Sequence, residues 1–358
     1  TVDFSNVSFE KVSSYRYMFA DCLMEEFSFT VPPLIMSIEG FLSGCSNLKT
    51  LRNFYITSNV ATDKWIENSP VESVIDCEFF NQFTTFKNNQ TLKRVENLVY
   101  TGTNFSNYFN GCSNLEYVSI NLTDVVTNLD NSFANCPNLI EIDFNVSDLS
   151  NVTSMVGTFT NDSSLNAIKN LRITNNSTVA DNTTLLGCPI NNTDGFFINS
   201  NIALNMFRMG EESNITALTD FEIGTSANNL SELFANYQHI KEDISIPNHV
   251  KTVERMFYNC TGLTKVHYNW QNTYDLNMDS DPTNDVITTD CYAGCVNIEY
   301  IEDDLYMNEY GELTATYSIP EEWGGLFNCE PNETAFYINS DLLEDYTITL
   351  NGELGVYI

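Results

Sequence analysis

Hydrophobic positions along the chain follow one short phrase that returns from end to end. Its fullest copy is Met256-Phe257-Tyr258-Asn259-Cys260-Thr261-Gly262-Leu263. Close copies are Tyr108-Phe109-Asn110-Gly111-Cys112-Ser113-Asn114-Leu115 and Ser132-Phe133-Ala134-Asn135-Cys136-Pro137-Asn138-Leu139. Phe41-Leu42-Ser43-Gly44-Cys45-Ser46-Asn47-Leu48 is another, and Met18-Phe19-Ala20-Asp21-Cys22 opens the series. Aligned on the aromatic slot, the copies give Phe19, Leu42, Phe86, Phe109, Phe133, Phe159, Phe234, Phe257 and Tyr292. From Phe19 to Phe159 neighbouring copies are 23 to 26 residues apart, with one gap of 44 that disguises a coil. A unit of that size cannot bury a core alone, so the recurrence predicts a repeat solenoid.

After the closing Leu of each phrase comes a short run in the pattern Leu-x-x-Leu-x-Leu. Leu115-Glu116-Tyr117-Val118-Ser119-Ile120, Leu139-Ile140-Glu141-Ile142-Asp143-Phe144 and Leu263-Thr264-Lys265-Val266-His267-Tyr268 are examples, with a truncated form at Ile298-Glu299-Tyr300-Ile301. Polar and apolar residues alternate there, the period-2 signature of a strand with one buried face. The expected architecture is leucine-rich-repeat-like: short parallel β-strands stacked coil on coil, with an irregular or short helical convex side. The aromatic slot forms an inner spine. The outward strip reads Thr50, Arg52, Arg94, Glu96, Tyr117, Ser119, Glu141, Asp143, Lys265, His267, Tyr300 and Glu302.

Cysteine placement supports packing over crosslinking. Cys22, Cys45, Cys112, Cys136, Cys260 and Cys295 share one repeat slot, which elsewhere holds Asn89, Asp162 or Tyr237. A crosslinking residue exchanged for tyrosine would strand its partner, so these cysteines are expected to be reduced, buried and facing the core.

The segment Ile244-Ser245-Ile246-Pro247-Asn248-His249-Val250-Lys251-Thr252-Val253, leading into Met256-Phe257 and Cys260, resembles the BspA-type leucine-rich repeat. Asp148-Leu149-Ser150-Asn151-Val152-Thr153-Ser154-Met155, leading to Phe159, resembles the related repeat of mycoplasma surface lipoproteins. The resemblance covers most of residues 10–175 and 225–305. It implies display on a bacterial or microbial-parasite surface and a part in adhesion; similar arrays occur in bacteriophage proteins, and the coil lengths here are more irregular than in the tidiest bacterial copies.

Two matching segments suggest a division. Leu185-Leu186-Gly187-Cys188 leads to Phe196-Phe197-Ile198-Asn199-Ser200, and Leu326-Phe327-Asn328-Cys329 leads to Phe336-Tyr337-Ile338-Asn339-Ser340. Read as closing coils, they delimit two arrays at 1–204 and 205–358; read as degenerate coils, they belong to one continuous solenoid. Residues 176–224 keep only a trace of the motif. A phrase already under way near Ser14-Tyr15-Arg16-Tyr17-Met18-Phe19 leads us to expect a mature product or a piece of a longer polypeptide.

The balance of 15 Lys+Arg against 48 Asp+Glu, a net charge of −33, disfavours nucleic acid and anionic membrane surfaces as partners. No apolar run is long enough for a spanning helix. His239, His249 and His267 share no motif, and the usual hydrolase, nucleotide and zinc signatures are missing, so no enzyme is expected. Cys291 and Cys295, four apart, fill the Met and Cys slots of one phrase. The stretch around Asp275, Asn277, Asp279, Asp281 and Asp285 alternates oxygen ligands like the start of a calcium loop. Ser280 and Val286 depart from that pattern and favour the other reading, an exposed acidic insertion between coils. No other cofactor is implied. Asn-x-Ser/Thr triplets, at Asn104, Asn151, Asn182, Asn229 and Asn332 among others, matter only in a source that glycosylates its surface proteins.

The sequence therefore points to a non-enzymatic, extracellular or surface-displayed module. It would recognise a protein or glycan through Arg52, Arg94, Tyr117, Glu141, Asp143, Lys265, His267 and Tyr300. The alternative is a structural or decoration component of a larger assembly, a virion fibre or surface layer, in which the chain would form a homo-oligomer.

Overall fold

The computed structural model describes residues 12–31, 35–56, 64–80, 86–247, 249–268, 291–295, 297, 300–303, 335–337 and 356–357, with backbone alone at 266–268 and from 300 onward. Its main sheet contains β1 (Glu26–Val31), β2 (Thr50–Ile56), β3 (Ser73–Ile75), β4 (Glu78–Phe79), β5 (Arg94–Tyr100), β6 (Tyr117–Leu122), β7 (Glu141–Asp143) and β8 (Ala167–Lys169). They run in the order β1-β2-β3-β5-β6-β7-β8, with β4 beside β2 and β5, and each pairing is parallel. β9 (Arg172–Ile173), β10 (Phe197–Ile198) and β11 (Glu222–Ile223) form a second parallel sheet. β12 (Lys265–Tyr268), β13 (Tyr300–Asp303), β14 (Ala335–Tyr337) and β15 (Val356–Tyr357) form a third. The chain is a parallel β-solenoid.

Strand alternation follows the expected register. Val95, Leu98, Val118 and Ile142 point inward and are fully buried, while Arg94, Tyr117 and Glu141 line up outside across β5, β6 and β7. Behind the sheet, each phrase makes a tight turn in which two positions take positive φ: Asn107 and Gly111, Asn131 and Asn135, Gly157 and Asn161, Arg255 and Asn259. Asn, Asp and Gly tolerate that conformation best, which explains their recurrence on both sides of the ring residue. Between these positions the rings stack. Phe133 lies 5.8 Å from both Phe109 and Phe159, with interplanar angles of 21° and 9°. Phe257 lies 5.2 Å from Phe234 and 5.4 Å from Tyr292. On the outer side of the turn, Asn161 Nδ2 donates to Asn135 Oδ1 at 3.1 Å, and Asn259 Nδ2 to Asn236 Oδ1 at 3.1 Å.

The disguised coil lies at Lys64–Ser69. Leu42 N–H donates to Trp65 O at 2.6 Å and Gly44 N–H to Glu67 O at 2.8 Å, which puts Ile66 in the aromatic slot and Ser69 in the cysteine slot. Trp65 is fully buried and stacks 5.3 Å from Phe54. Across residues 204 and 205, Phe196 packs 5.7 Å from Phe221, and Asn229 N–H donates to Asn201 Oδ1 at 2.9 Å. A single buried core runs from Tyr15 to Cys295. Among the described residues the side opposite the sheet is built of turns, with helical turns only at Ala203–Phe207 and Gly210–Glu212.

The cysteine slot has a common function in packing. Cys45, Cys112, Cys136, Cys188, Cys260 and Cys295 each direct the thiol at the carbonyl of the ring-slot residue one coil back. Those residues are Phe19, Phe86, Phe109, Phe159, Phe234 and Phe257, at 2.7–3.1 Å. Ser69 repeats the contact through Oγ to Leu42 O at 2.6 Å, and Tyr237 through its hydroxyl to Phe207 O. The slot accepts Ser and Tyr because it asks for a buried donor, not for sulfur chemistry.

Candidate functional site: the outward strip of the sheet

Parallel in-register pairing sets the strip. Thr50, Ser73, Arg94, Tyr117, Glu141 and Ala167 follow one another across successive strands, so one side chain per coil stands outward along a single row as far as Glu141, while Ala167 is buried. Arg94 donates from Nε to Glu96 Oε1 and lays its guanidinium over the Tyr117 ring, 4.4 Å from the centroid. The bond to Glu96 raises the already high pKa of Arg94. Arg52 sits between two carboxylates, 3.7 Å from Glu26 on one side and 3.7 Å from Asp76 on the other. Glu141 accepts from Lys169 Nζ at 3.0 Å. Asp143 accepts from the Asn145 N–H at 2.7 Å and from Asn170 Nδ2 at 2.8 Å. Lys265 Nζ stands 4.0 Å from Glu242.

Three expected members of the strip, His267, Tyr300 and Glu302, are placed by backbone only: Tyr300 pairs with Lys265, and His267 with Glu302. Ser119 differs from expectation. It is 5 % exposed because Asn145, one coil on, covers it and donates Nδ2 to its Oγ at 2.7 Å. The acidic stretch Asp275, Asn277, Asp279, Asp281 and Asp285 lies outside the described residues.

A second row was not singled out by the sequence reading. Lys49, Glu72 and Lys93 occupy one repeat position, just before the strand. Glu72 accepts from Lys49 Nζ at 2.6 Å and from Lys93 Nζ at 2.8 Å. These bonds, from Lys49 first and Lys93 second, hold the Glu72 carboxyl down at about 2. The signal was present: charges alternate in sign at a fixed repeat position, and stacking turns that alternation into contact. Arg255 follows the same logic further along, 3.5 Å from Glu232 and 4.0 Å above the Tyr258 ring.

The arrangement offers charged and aromatic surface groups. The charges of the strip are tied laterally to neighbouring coils, and Tyr117 presents one ring face to a guanidinium. Among the described residues, no group of three His, Cys, Asp or Glu side chains is placed to hold a metal ion. No helix among them is long and apolar enough to cross a membrane. Among the described residues every thiol but that of the half-buried Cys22 sits in the core, and burial pushes that of Cys77 up to about 11.

No protein-family model and no curated protein matches the chain. Among solved structures, it is similar to a leucine-rich repeat protein from Bacteroides ovatus, with 15 % identity over 90 % of this chain and 77 % of that one. The TM-score is 0.32, a likeness too loose to align coil with coil.

Proposed function

We propose that the chain is a non-enzymatic recognition module that binds a protein or glycan partner through the outward strip of its sheet. The observation that carries this reading is the row Arg94–Tyr117–Glu141, in which an aromatic ring and both signs of charge stand in register on adjacent strands. Extended repeat surfaces suit large partners, and aromatic and Arg side chains are the residues that anchor interfaces. On this reading the chain is a relative of the BspA-type repeat proteins, displayed outside a cell, where it serves adhesion. The test is a protein and glycan array probed with the isolated chain and with Tyr117→Ala. A ligand bound by the wild type and lost in the variant supports the proposal; an array blank for both counts against it.

A second reading, a structural component of a larger assembly, is favoured by the lateral pairing of the strip. Arg52, Lys49, Lys93 and Lys169 are engaged with carboxylates of neighbouring coils, as in a surface serving its own stack. Native mass measurement separates the two. A stable homo-oligomer supports assembly, and a monomer supports recognition.

A further inference from the structure

We propose that Cys22 and Cys45 are a modification site: a thiol pair on successive coils that closes into a disulfide under oxidising conditions and staples the first described coil to the second. The two residues hold the same slot one coil apart. Asp21 N–H donates to Ser43 O at 2.8 Å immediately before them, which locks the two turns in register. Stacked backbones in register stand roughly 4.7–4.9 Å apart, inside the roughly 4.4–6.8 Å between Cα atoms that a disulfide spans. Cys45 Sγ already lies against the neighbouring turn, 3.0 Å from Phe19 O.

What distinguishes this pair is Cys22. Every other described cysteine of the slot is buried and spends its thiol on a carbonyl one coil back, whereas Cys22 is half-buried. It lies beside Leu23, which is 74 % exposed. Cys112 with Cys136, and Cys260 with Cys295, repeat the stacking, but both thiols of each pair are buried and bonded.

The chemistry balances with a small disulfide as oxidant. The Cys22 thiolate attacks a sulfur of oxidised glutathione, giving a mixed disulfide and releasing one glutathione thiolate. Cys45, whose thiol is held protonated by burial, then loses its proton as the coil opens. It attacks the Cys22 sulfur and releases the second glutathione as thiolate. Two protein thiols are oxidised and one glutathione disulfide is reduced.

The test uses the whole chain. Incubate it with oxidised glutathione, block free thiols by alkylation after denaturation, digest, and read the peptides by mass. The expected result is a Cys22 peptide joined to a Cys45 peptide, two hydrogens below their summed mass, while Cys112, Cys136, Cys260 and Cys295 are all alkylated. Cys22→Ser should keep Cys45 as a free thiol. A glutathione adduct that persists on Cys22 beside alkylated Cys45 would overturn the proposal, as would full alkylation of both or faster linkage of Cys112 to Cys136.

Discussion

Asp162 Oδ1 accepts the backbone N–H of Cys136 at 2.7 Å, placing a carboxyl where neighbouring coils carry a thiol or hydroxyl. Ser69 and Cys45 show the same relationship: Cys45 N–H donates to Ser69 Oγ at 2.9 Å, and Ser69 Oγ donates onward to Leu42 O at 2.6 Å. For Asp162 to complete that bridge to Phe133 O, it needs a proton. The side chain is fully buried, its Oδ2 has no partner, and the titratable groups facing it are the thiols of Cys136 and Cys188. Burial, first, and the nearby Cys136 thiol, second, raise its pKa well above the ordinary 3.8.

The folded state therefore binds the Asp162 proton more tightly than the unfolded chain. Its stabilising contribution is complete below the ordinary carboxylate range and is lost as pH rises from there through the raised folded value. Asp162→Asn, which keeps an acceptor and a permanent donor, should match the wild type near pH 3.5. It should become the more stable form as pH rises, by about 1.4 kcal/mol for each pH unit over which only the folded state holds the proton. Urea midpoints across that range check it. Parallel curves for the two proteins would mean that Asp162 ionises normally.

Phe133 sits midway in the ring stack, so Phe133→Ala should cost about 3–5 kcal/mol. Glu141 lies on the opposite side of the same coil, paired with Lys169 and about a quarter exposed, with a side-chain exposure of 28 %. Glu141→Ala should cost under about 1 kcal/mol. Equal losses in chemical denaturation would place Glu141 in the core, a register slipped by one residue.

Gly111 has φ +78°, and a Cβ there would stand 2.4 Å from Asn88 Oδ1 in the coil below. Gly111→Ala should destabilise by at least about 1 kcal/mol through the left-handed backbone alone. Asn131→Ala, at φ 53° with no glycine to lose, should cost less. Thermal melts of the two variants rank them, and a larger loss for Asn131→Ala would contradict the turn geometry.

Thiol reactivity should follow depth. In native buffer a bulky thiol reagent should modify Cys22 first, and after denaturation without reductant it should find nearly all ten cysteines. Recovery of one or two thiols from the unreduced, denatured chain would contradict the packing account of the slot.

Much of this was legible in the sequence because stacking constrains one inward position per coil strongly. The rings at Phe109, Phe133 and Phe159 and the alternation around Val118 and Ile142 fall where period and pattern put them. The coil at Lys64–Ser69 was legible only as a gap of double length, since Trp65, Ile66 and Ser69 satisfy the same contacts with other residue types. Ser119 was misplaced for a related reason. A period-2 pattern says which side of the strand a residue faces, but not whether a side chain from the next coil, here Asn145, covers it. Lateral ion pairs such as Lys49–Glu72–Lys93 become visible only when the chain is written coil above coil.

Spin labels on Arg94→Cys and Glu141→Cys test the central claim most directly, because the account places these residues in one row with only Tyr117 between them. Two strand spacings separate the backbones by roughly 10 Å, and dipolar coupling should report a short, narrow distance distribution of about 10–20 Å once label arms are included. Both labels should also show the mobility of outward sites. A distance beyond about 30 Å, or an immobilised label at either position, would contradict the in-register stack and the strip built on it.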